Sequence, residues 1–386
     1  MALRQRRLER LVRFARAESA YYREALAALD DGDGIEIERL PVLEKATLRA
    51  RRDEIRVTAR AGVGARLAHT GGSTGKPLSF WIDDDKIERM RAGMMRGYRW
   101  CGWEPGEKIL NFWGAQQDLK RGPGRRWRDF IAAERTVGAW EFGARELDAW
   151  VALIRSWRPV VLQGYASVLA EVARHVRRRG LRLPPLKGVY STAEVLHDAQ
   201  REVIESAFGC QVFNQYGSRE VPNIALECRH HNLHVFSDLV WLESDPARRF
   251  LVTSLSDYQM PFIRYANGDS GRLKPGACPC GSPFPMIEME LCRANDILIT
   301  PGGRRVYPSW FVHLLDGVAG VRQFQFHQQA ADAICLRLVL DAPLDEAVAR
   351  RLRQRVAAEL GQHLRIEPVE RIPRGASGKH RFVIAS

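Results

Sequence analysis

The sequence predicts an α/β fold that is divided into a large N-terminal domain and a small α+β C-terminal domain. Segments with strand and helix periodicity alternate between about residues 66 and 216, which is typical of a parallel sheet built from βαβ units. Short strands with polar turns follow from about residue 233, and the tail has an order of its own. With 386 residues, 45% of them hydrophobic, the chain is long enough to bury a large core.

The first part of the chain is predicted to be helical before it enters the sheet. The N-terminal segment repeats apolar side chains at helical spacing with arginines between them, which indicates an amphipathic helix rather than a signal peptide. The segment "RLAHTGGSTGKPLSFWID" then predicts a strand, a glycine loop and a second strand. A helix over "ERMRAGMMRGYRWCGW" and a strand over "EKILNFWG" follow.

The middle of the chain alternates the two kinds of element. Helices are predicted over "ELDAWVALIRSWRP", "SVLAEVARHVRRRG" and "HDAQREVIESAFG", and strands over "VVLQGY", "LKGVYST" and "QVFNQYGS". Short strands from "LHVFSDLVWLE" to "GRLKP" predict a β-rich piece added to the α/β body. The tail from "DILITPGGRRVYP" onward predicts a strand, a helix, two strands and a helix. We therefore place the domain boundary at "LCRAND", with domains at 1–292 and 293–386.

Composition and charge argue against several classes of protein. The net charge is +13, but the basic residues are spread along the chain and only eight of the 59 are lysines, so no nucleic-acid partner is expected. No apolar run reaches the length of a membrane span. Seven cysteines in a chain without an export signal favour a reducing, cytoplasmic location. The sequence leaves a homodimer open.

The glycine-rich segment "TGGSTGKP", residues 70–77, does not match a P-loop. That motif needs a glycine where Thr70 stands and a hydroxyl residue where Pro77 follows Lys76. Adjacent glycines nevertheless expose backbone N–H groups, while two hydroxyl side chains and Lys76 add donors for phosphate oxygens. Taken alone, the segment predicts either a phosphate-binding loop or a simple hairpin turn.

Six segments occur in the order found in adenylate-forming enzymes. They are "HTGGSTGKP", "YSTAEVL", "NQYGSREV", "RYANGDSGRL", "CRANDILITPGGRRVYPS" and "IPRGASGKHR". On these motifs the chain resembles the phenylacetate CoA ligase-like family over nearly its full length, and within it the CapK-type branch associated with capsular polysaccharide biosynthesis. The resemblance implies a two-domain adenylate-forming (acyl-CoA synthetase-like) fold, with a large α/β N-terminal domain and a small mobile C-terminal domain.

The resemblance implies a nucleotide site formed by three of these motifs. The glycine loop would hold the triphosphate of ATP through Thr70, Gly71, Gly72, Ser73, Thr74, Gly75 and Lys76. In "YSTAEV", Ala193 and Glu194 would lie along the adenine face. In "NQYGSRE", Asn214 would reach the adenine amino group, Tyr216 would stack on the base, and Gly217 belongs to the same turn.

Charged residues complete the implied site. Arg219, where many relatives carry Thr or Ser, could contact phosphate or turn away into a salt bridge. Glu220 would ligate Mg²⁺, a hard cation that prefers oxygen ligands. Asp269 would accept hydrogen bonds from both ribose hydroxyls, and Arg293 would touch the nucleotide just before the hinge.

The tail carries the residue implied in the chemical step. Lys379 in "SGKHR" would swing into the site with the small domain and stabilise the charge that develops between the carboxylate and the α-phosphate. A flexible ammonium suits a moving group, and lysine is scarce in this arginine-rich chain. A solvated lysine on a C-terminal turn is the alternative. Cys292 and Asn295 replace the glycine and aspartate that are usual at the hinge.

Cysteines and histidines in "ECRHHNLHVF" and "ACPCGSP" predict a closed zinc site. The proposed ligands are Cys228, His234, Cys278 and Cys280. Related enzymes of the resembled family bind a structural zinc with such a set. His230 or His231 could replace His234, and buried thiols without a metal are the alternative. Four protein ligands leave no open position for water, so the Zn²⁺ would stabilise the fold rather than catalyse.

The implied activity is ATP-dependent activation of a small-molecule carboxylate as an acyl adenylate, with release of pyrophosphate. ATP would act with Mg²⁺, and the acyl group would then pass to a thiol, with CoA as the favoured acceptor. A carrier protein, an amine and a hydroxyl are alternative acceptors. A non-catalytic nucleotide-binding scaffold is a second alternative, against which the presence of Lys379, Glu220 and Asp269 together argues.

Overall fold

The computed structural model describes most of the chain. The described segments are residues 2–29, 34–58, 64–69, 78–113, 131, 133–139, 142–293, 298–302, 305–306, 310–311, 314–315, 318–330, 332–373 and 382–384. The chain divides into two compact units. The larger contains Met1–Asn267 and Gly271–Glu288, and the smaller contains Gly268–Ser270 and Met289–Gly375. The boundary expected from the sequence between residues 292 and 293 stays a prediction.

Several of the helices begin at a short polar cap. The described helices are α1 (Ala2–Glu18), α2 (Ala20–Ala25), α3 (Lys45–Ala50), α4 (Arg52–Ile55), α5 (Asp84–Tyr98), α6 (Ala144–Trp157), α7 (Ala166–Arg178), α8 (Asp198–Phe208) and α9 (Glu346–Leu360). The Ser19 hydroxyl accepts from the Tyr22 N–H at 3.4 Å, and Asp83 accepts from the Lys86 N–H at 2.8 Å. These caps satisfy donors that a first helical turn leaves open. Among the described helices, none combines the length and hydropathy of a membrane span.

The strands of the described segments form four sheets. They are β1 (Arg66–His69), β2 (Ser79–Ile82), β3 (Ile109–Trp113), β4 (Glu134–Gly138), β5 (Val161–Tyr165), β6 (Gly188–Thr192), β7 (Val212–Tyr216), β8 (Ala225–Glu227), β9 (Leu233–Val235), β10 (Val240–Ser244), β11 (Arg249–Ser254), β12 (Tyr265–Lys274), β13 (Met286–Arg293), β14 (Leu298–Ile299), β15 (Arg305–Val306), β16 (Val321–Ala330), β17 (Ala333–Leu340), β18 (His363–Pro368) and β19 (Val383–Ile384). The largest sheet has eleven strands in the order β10-β11-β12-β13-β9-β8-β7-β6-β5-β3-β4.

Strands β3 to β7 form the parallel half of the large sheet. Every residue of β5 and β6 is buried, as expected for parallel strands that are covered on both faces. Apolar side chains of α6, α7 and α8 pack with these strands in one core, among them the fully buried Ile154, Leu169 and Ile204. The alternating α/β organisation predicted from the sequence is confirmed.

The same sheet continues beyond β7 in antiparallel pairs. Strand β7 pairs with β8, β8 with β9, β9 with β13, and β10 with β11. The sequence predicted an added β-rich piece, whereas these strands extend the parallel half without a break. Local periodicity shows that a segment is a strand, but long-range contacts decide which strand lies beside it.

The N-terminal segment braces the loop between β11 and β12. The Tyr22 hydroxyl donates to the Pro261 carbonyl at 2.9 Å and accepts from the Ile263 N–H at 3.3 Å. The Val57 N–H donates to the Gln259 carbonyl at 3.0 Å. The backbone of this loop is therefore fixed by residues about two hundred positions earlier in the chain.

The smaller unit has a sheet of its own, in the order β18-β17-β16-β19. Strands β16 and β17 pair antiparallel, and the two outer strands pair parallel to them. Leu352 and Val356 of α9 pack in one core with Leu336 and Phe326 of the sheet. Strand β14, the β16–β17 pair and α9 match the order predicted for the tail. The sequence missed β18 and β19, because β19 has only two residues and β18 lacks a strict apolar alternation.

Candidate active site and metal centre

The predicted triphosphate loop and the predicted catalytic lysine lie outside the described residues. These are Thr70, Gly71, Gly72, Ser73, Thr74, Gly75, Lys76 and Lys379. The hairpin that carries the loop is described: β1 and β2 pair antiparallel, with His69 opposite Ser79. The His69 Nδ1 and the Ser79 hydroxyl lie 2.9 Å apart, which links the two ends from which the loop leaves.

Two of the motif segments meet at one edge of the large sheet. Strand β6 ends at Thr192 and β7 ends at Tyr216, and Thr192 pairs with Gln215 in parallel register. Ligands of open α/β sheets bind outside the carboxyl ends of such strands. The segments "AEVL" and "GSRE" that follow the two strands therefore share the edge where a ligand is expected.

The turn after β6 has a strained backbone at Ala193. Its φ of 69° lies in the left-handed region, which residues other than glycine seldom adopt. Strain of this kind persists at ligand-binding turns because the surrounding structure enforces it. The next residue, Glu194, accepts a hydrogen bond from the Ser167 N–H at 2.9 Å, at the N-terminal end of α7. In this structure the Glu194 carboxylate is thus engaged by a helix, and its placement along adenine stays a prediction.

The turn after β7 is too tight for a side chain at Gly217. A Cβ there would lie 2.6 Å from the backbone nitrogen of Asn223, closer than any real contact of that kind. The neighbouring Tyr216 is 8% exposed, and its hydroxyl accepts from the Asn267 side chain at 2.8 Å. The turn is therefore shaped by close backbone approach, and the ring that was predicted to stack on adenine is held at its hydroxyl end.

Two further residues of the "NQYGSRE" motif are tied to backbone or buried groups. The Asn214 N–H donates to the Glu227 carboxylate at 2.8 Å. Arg219 donates from Nη1 to the carbonyl of His69 at 3.1 Å. The sequence left phosphate contact and a salt bridge open for Arg219, whereas this contact joins it to the residue just before the glycine loop. This hydrogen bond links the "NQYGSRE" motif to the strand that precedes the predicted phosphate loop.

Glu220, the predicted magnesium ligand, is held at its side chain and at its backbone. It is 4% exposed. The Tyr265 hydroxyl donates to its Oε1 at 2.8 Å, and Lys86 Nζ donates to its main-chain carbonyl at 2.6 Å. Lys86 is also paired with Asp257, and both of these side chains are buried. This network sets where the Glu220 carboxylate sits.

The residues predicted to bind ribose and to mark the hinge lie on β12 and β13. Asp269 is half-buried inside β12, with strand residues on both sides of it. Arg293 is the last residue of β13, and Asn295 lies outside the described residues. Strand β12 begins at Tyr265 and continues past the end of the "RYANGD" motif. The role of Asp269 toward ribose stays a prediction.

The four predicted zinc ligands lie together in the larger unit. The ligand atoms of Cys228, His234, Cys278 and Cys280 are all within 4.8 Å of one another. The Cys228 and Cys278 sulfurs are 3.6 Å apart, and the Cys280 sulfur is 3.3 Å from His234 Nε2. A tetrahedral zinc with usual bond lengths separates its ligand atoms by ~3.6–3.8 Å. The donor set and its spacing fit a closed zinc site.

His234 is oriented toward the three sulfurs by its other ring nitrogen. Nδ1 lies 2.9 Å from the carbonyl of Phe284, so a proton on Nδ1 donates there and Nε2 is the ligand atom. His231, which the sequence left as an alternative, contacts Arg201 and Glu227 instead. The pairing of β9 with β8 and β13 brings His234 to the cysteines, which the sequence spacing alone did not decide.

The surroundings of the sulfurs favour thiolates to different degrees. Burial raises the pKa of Cys228 to about 11. For Cys278, burial also acts to raise the pKa, but hydrogen bonds from the Cys280 backbone and from neighbouring side chains lower it to about 6. The backbone N–H groups of His230 and Ser282 donate to the Cys228 and Cys280 sulfurs at 3.4 Å. A bound dication would ionise every thiol that coordinates it.

Comparison with known proteins agrees with the motifs. Residues 298–386 match the family described as the CapK C-terminal domain. Protein CapK of Staphylococcus aureus is 25% identical over 99% of this chain and 88% of its own length. A phenylacetate-coenzyme A ligase of Thermus thermophilus is 27% identical over 80% of this chain and 73% of its own length. A crystal structure of 2-hydroxyisobutyryl-CoA ligase in the postadenylation state, complexed with R3-HIB-AMP, aligns with a TM-score of 0.77 at 20% identity, covering 99% of this chain and 89% of that one.

The chain is therefore similar over nearly its full length to CapK-type proteins and to phenylacetate-CoA ligases. The resemblance identified from the six motifs is thereby confirmed, and the structural likeness confirms the adenylate-forming fold. The similarity to phenylacetate-CoA ligases indicates an AMP-forming ligase. The two units described above correspond to the large α/β part and the smaller α+β part of that fold.

Sequence reasoning missed three residues of the network around Glu220, namely Lys86, Asp257 and Tyr265. The available signal was a lysine at the start of a helix in a chain that otherwise uses arginine, in the segment "DDDKIERM". Burial raises the pKa of Asp257 to about 6, against the lowering effect of the Lys86 charge and hydrogen bond. The Lys86 charge thus opposes the effect of burial on the Asp257 carboxyl group.

Proposed function

We propose that this CapK-type protein activates a small-molecule carboxylate with ATP, releases pyrophosphate, and passes the acyl group from the adenylate to a thiol, with CoA as the favoured acceptor. The observation that carries the proposal is the shared sheet edge, where the turns after β6 and β7 lie side by side and the second turn presents the buried Glu220. The similarity to a phenylacetate-coenzyme A ligase and to a 2-hydroxyisobutyryl-CoA ligase supports the choice of CoA.

The nucleotide would lie across that edge. In the proposal Ala193 and Glu194 line one side of the adenine, and Asn214 and Tyr216 approach it from the neighbouring turn. The left-handed backbone at Ala193 supports this, because strained backbone is retained where a ligand must be approached closely. Asp269 would accept hydrogen bonds from the ribose hydroxyls, and the glycine loop would surround the triphosphate.

Glu220 would be the protein ligand of Mg²⁺. One of its oxygens is held by the Tyr265 hydroxyl at 2.8 Å, which leaves the second oxygen as the one that would meet the ion. Magnesium is commonly bound by one or two carboxylates together with substrate phosphates, and a single buried acid such as Glu220 suits this arrangement. When bound, the ion would neutralise charge on the triphosphate while this chain's own donors orient it.

Lys379 would act in the adenylation step itself. Its ammonium would stabilise the charge that develops as the carboxylate oxygen attacks the α-phosphate and pyrophosphate leaves. Lys379→Ala is expected to lower carboxylate-dependent pyrophosphate exchange by about 10²–10³-fold, the usual loss for one such donor, while ATP still raises the unfolding temperature. An exchange rate equal to that of the wild type would remove Lys379 from the mechanism.

The cysteine–histidine cluster would hold a structural Zn²⁺. All four ligand atoms come from the protein and lie within 4.8 Å of one another, so the site has no position for substrate or water. When bound, the ion would join the "CRHHNLH" segment to the "CPC" turn. We assign it to the stability of the antiparallel half of the sheet.

The deciding experiment is a panel of small carboxylates in pyrophosphate exchange, with and without CoA. We expect at least one carboxylate to support exchange, and added CoA to convert it to AMP and an acyl-CoA. If no carboxylate supports exchange and MgATP does not raise the unfolding temperature, the proposal fails. Product formation with a carrier protein or an amine, but not with CoA, would retain the activation step and replace the acceptor.

A further inference from the structure

Lys86 is a buried ammonium in the first turn of α5. It is 1% exposed, and its backbone N–H donates to the cap residue Asp83 at 2.8 Å. The other lysines of the described segments are exposed, namely Lys45, Lys108, Lys187 and Lys274. Lysine is seldom fully buried unless it is paired, so the environment of this one calls for a physical reason.

The Lys86 ammonium has two oxygen partners on distant segments. It forms an ion pair with the Asp257 carboxylate, and it donates to the main-chain carbonyl of Glu220 at 2.6 Å. The centre of the Phe262 ring lies 4.8 Å from Nζ and adds a face of negative potential. The three donors of an ammonium on a flexible stem can serve two such acceptors at once.

Stability alone is a poor explanation for this lysine. Removing an ammonium and a carboxylate from water costs several kcal/mol per ion, and replacing a buried pair with apolar residues of similar volume is often neutral or stabilising. Lysine is also rare here, at eight residues in the chain. The bond to the Glu220 carbonyl is what an apolar replacement could not provide.

The groups around Glu220 are themselves anchored. Asp257 accepts from the Met260 N–H at 3.3 Å, in the loop that the N-terminal segment braces. The Tyr265 hydroxyl, which holds the Glu220 carboxylate, belongs to a fully buried side chain. Glu220 is thus gripped at its carbonyl by Lys86 and at its carboxylate by Tyr265, which is how the outer residues of a metal site fix a ligand's direction.

The chain path connects Lys86 to the glycine loop as well. Strand β2 leaves that loop and ends at Ile82, and α5 begins two residues later. The helix that carries Lys86 therefore continues directly from the hairpin of the predicted triphosphate loop. One side chain joins this hairpin to the turn that carries the predicted metal ligand.

We propose that Lys86 is a positioning residue of the nucleotide site, which fixes the backbone of Glu220 so that its carboxylate faces the magnesium ion of MgATP. The inference rests on the proposed function and adds to it a residue that the motifs do not contain. Lys86 touches neither nucleotide nor metal. It acts through Glu220, and the Asp257 carboxylate balances the charge of the ammonium.

The test compares equilibrium binding of MgATP with binding of ATP in EDTA, measured by calorimetry and by the shift in unfolding temperature. Lys86→Met is expected to weaken MgATP binding by about tenfold, the lower range for loss of an outer-shell partner, and to leave metal-free ATP binding unchanged. Lys86→Met/Asp257→Asn carries no uncompensated charge and keeps an acceptor for Met260, so it is expected to fold well and to show the same tenfold loss.

Two further variants separate positioning from stability. Asp257→Asn keeps the ammonium and its bond to the Glu220 carbonyl, so we expect MgATP affinity within about twofold of the wild type even if the unfolding temperature falls. Val172→Ala removes two methyl groups from a fully buried position in α7. It is expected to lower the unfolding temperature without changing any residue that contacts Lys86 or Glu220. It is expected to bind MgATP as the wild type does.

Wild-type MgATP affinity in the Lys86→Met/Asp257→Asn variant would overturn the inference, and so would an equal loss in Asp257→Asn. If the wild type itself does not bind MgATP, the proposed function fails instead. Glu220→Gln serves as the reference, because its loss of magnesium-dependent binding marks the effect that removal of the ligand produces. The failures of the two proposals are therefore distinguishable.

Discussion

Two buried polar clusters of the larger unit satisfy their charges in different ways. In the first, Cys228, His234, Cys278 and Cys280 converge with only electron-pair donors facing one another. In the second, the Lys86 ammonium donates to two oxygen acceptors, the Asp257 carboxylate and the Glu220 carbonyl. The sulfur and imidazole ligands of the first cluster would be stabilised by a divalent cation. In the second cluster the Lys86 ammonium already balances the Asp257 carboxylate.

This difference in donors and acceptors indicates which of the two clusters suits a bound metal ion. The cysteine cluster combines soft sulfur ligands with an imidazole, which suits zinc and gives no open position. In the Lys86 cluster the ammonium and the Asp257 carboxylate balance each other's charge, and the proposed role of the cluster is to orient the Glu220 carboxylate. The first cluster is thus expected to control stability through metal content, and the second to control ligand binding through geometry.

Removing a zinc ligand is expected to have the largest effect. Cys278→Ala should abolish stoichiometric zinc and lower the free energy of unfolding by about 4 kcal/mol, the stabilisation from a ligand at a thousand times its dissociation constant. Elemental analysis and thermal melts measure the two quantities. The matched control is Cys335→Ala, a buried thiol of the smaller unit, which should keep the metal. Full zinc content in Cys278→Ala would show that the cluster is not the metal site.

A side chain at position 217 is expected to distort the turn that carries Glu220 and to leave the zinc content unchanged. In Gly217→Ala the new Cβ would meet the Asn223 nitrogen at 2.6 Å, so the turn before Glu220 must move. We expect a loss of about 1–3 kcal/mol in stability and a MgATP-induced thermal shift reduced to near zero. The control is Gly143→Ala, where the added Cβ meets only a Glu146 oxygen at 3.6 Å. An undiminished MgATP shift would argue that this turn does not bind nucleotide.

Removing the Tyr265 hydroxyl tests whether the contacts of Glu220 control magnesium-dependent ATP binding as well as stability. Tyr265→Phe deletes the donor to the Glu220 carboxylate, so we expect a loss of about 1 kcal/mol in stability and a few-fold rise in the magnesium concentration needed for ATP binding. Tyr22→Phe removes another buried hydroxyl, which bonds only backbone groups among the contacts described above. It should reproduce the stability loss alone. Equal magnesium dependence in both variants would contradict a positioning role for Tyr265.

The smallest effect is expected at the turn after β6. Ala193→Gly relieves a left-handed φ of 69° but frees the unfolded chain, and the two effects nearly cancel. We expect the free energy of unfolding to change by less than about 1 kcal/mol, with zinc content unchanged. Ala193→Val should destabilise more, since a β-branched residue tolerates this conformation poorly. If Ala193→Gly were strongly destabilising, the methyl group rather than the backbone would be the important feature.

The convergence of the cysteine–histidine cluster was predictable because much of the information that specifies it is local. Cys278 and Cys280 are separated by one residue, and Cys228 precedes His234 in a short segment. The choice among three histidines was not local, since β8 and β13 flank β9 and turn His234 toward the sulfurs. His231 lies on the same short segment and binds Arg201 instead.

The Lys86 cluster was not predictable because its partners are distant in sequence. The Glu220 carbonyl lies 134 residues away and Asp257 lies 171 residues away. Sequence motifs describe side chains and do not show which backbone carbonyl accepts a hydrogen bond. A lysine in the charged first turn of a helix is ordinarily exposed to solvent. A sequence pattern therefore named Glu220 and left out the residue that holds it.

The α/β organisation, the motifs and most members of the cysteine–histidine cluster were predicted from the sequence, since helix and strand periods and short spacings are properties of neighbouring residues. The continuation of one sheet through eleven strands, the histidine that joins the cysteines, and the anchoring of Glu220 required the folded molecule. Burial, strand partners and hydrogen bonds between distant segments arise from long-range packing, which local periodicity does not encode.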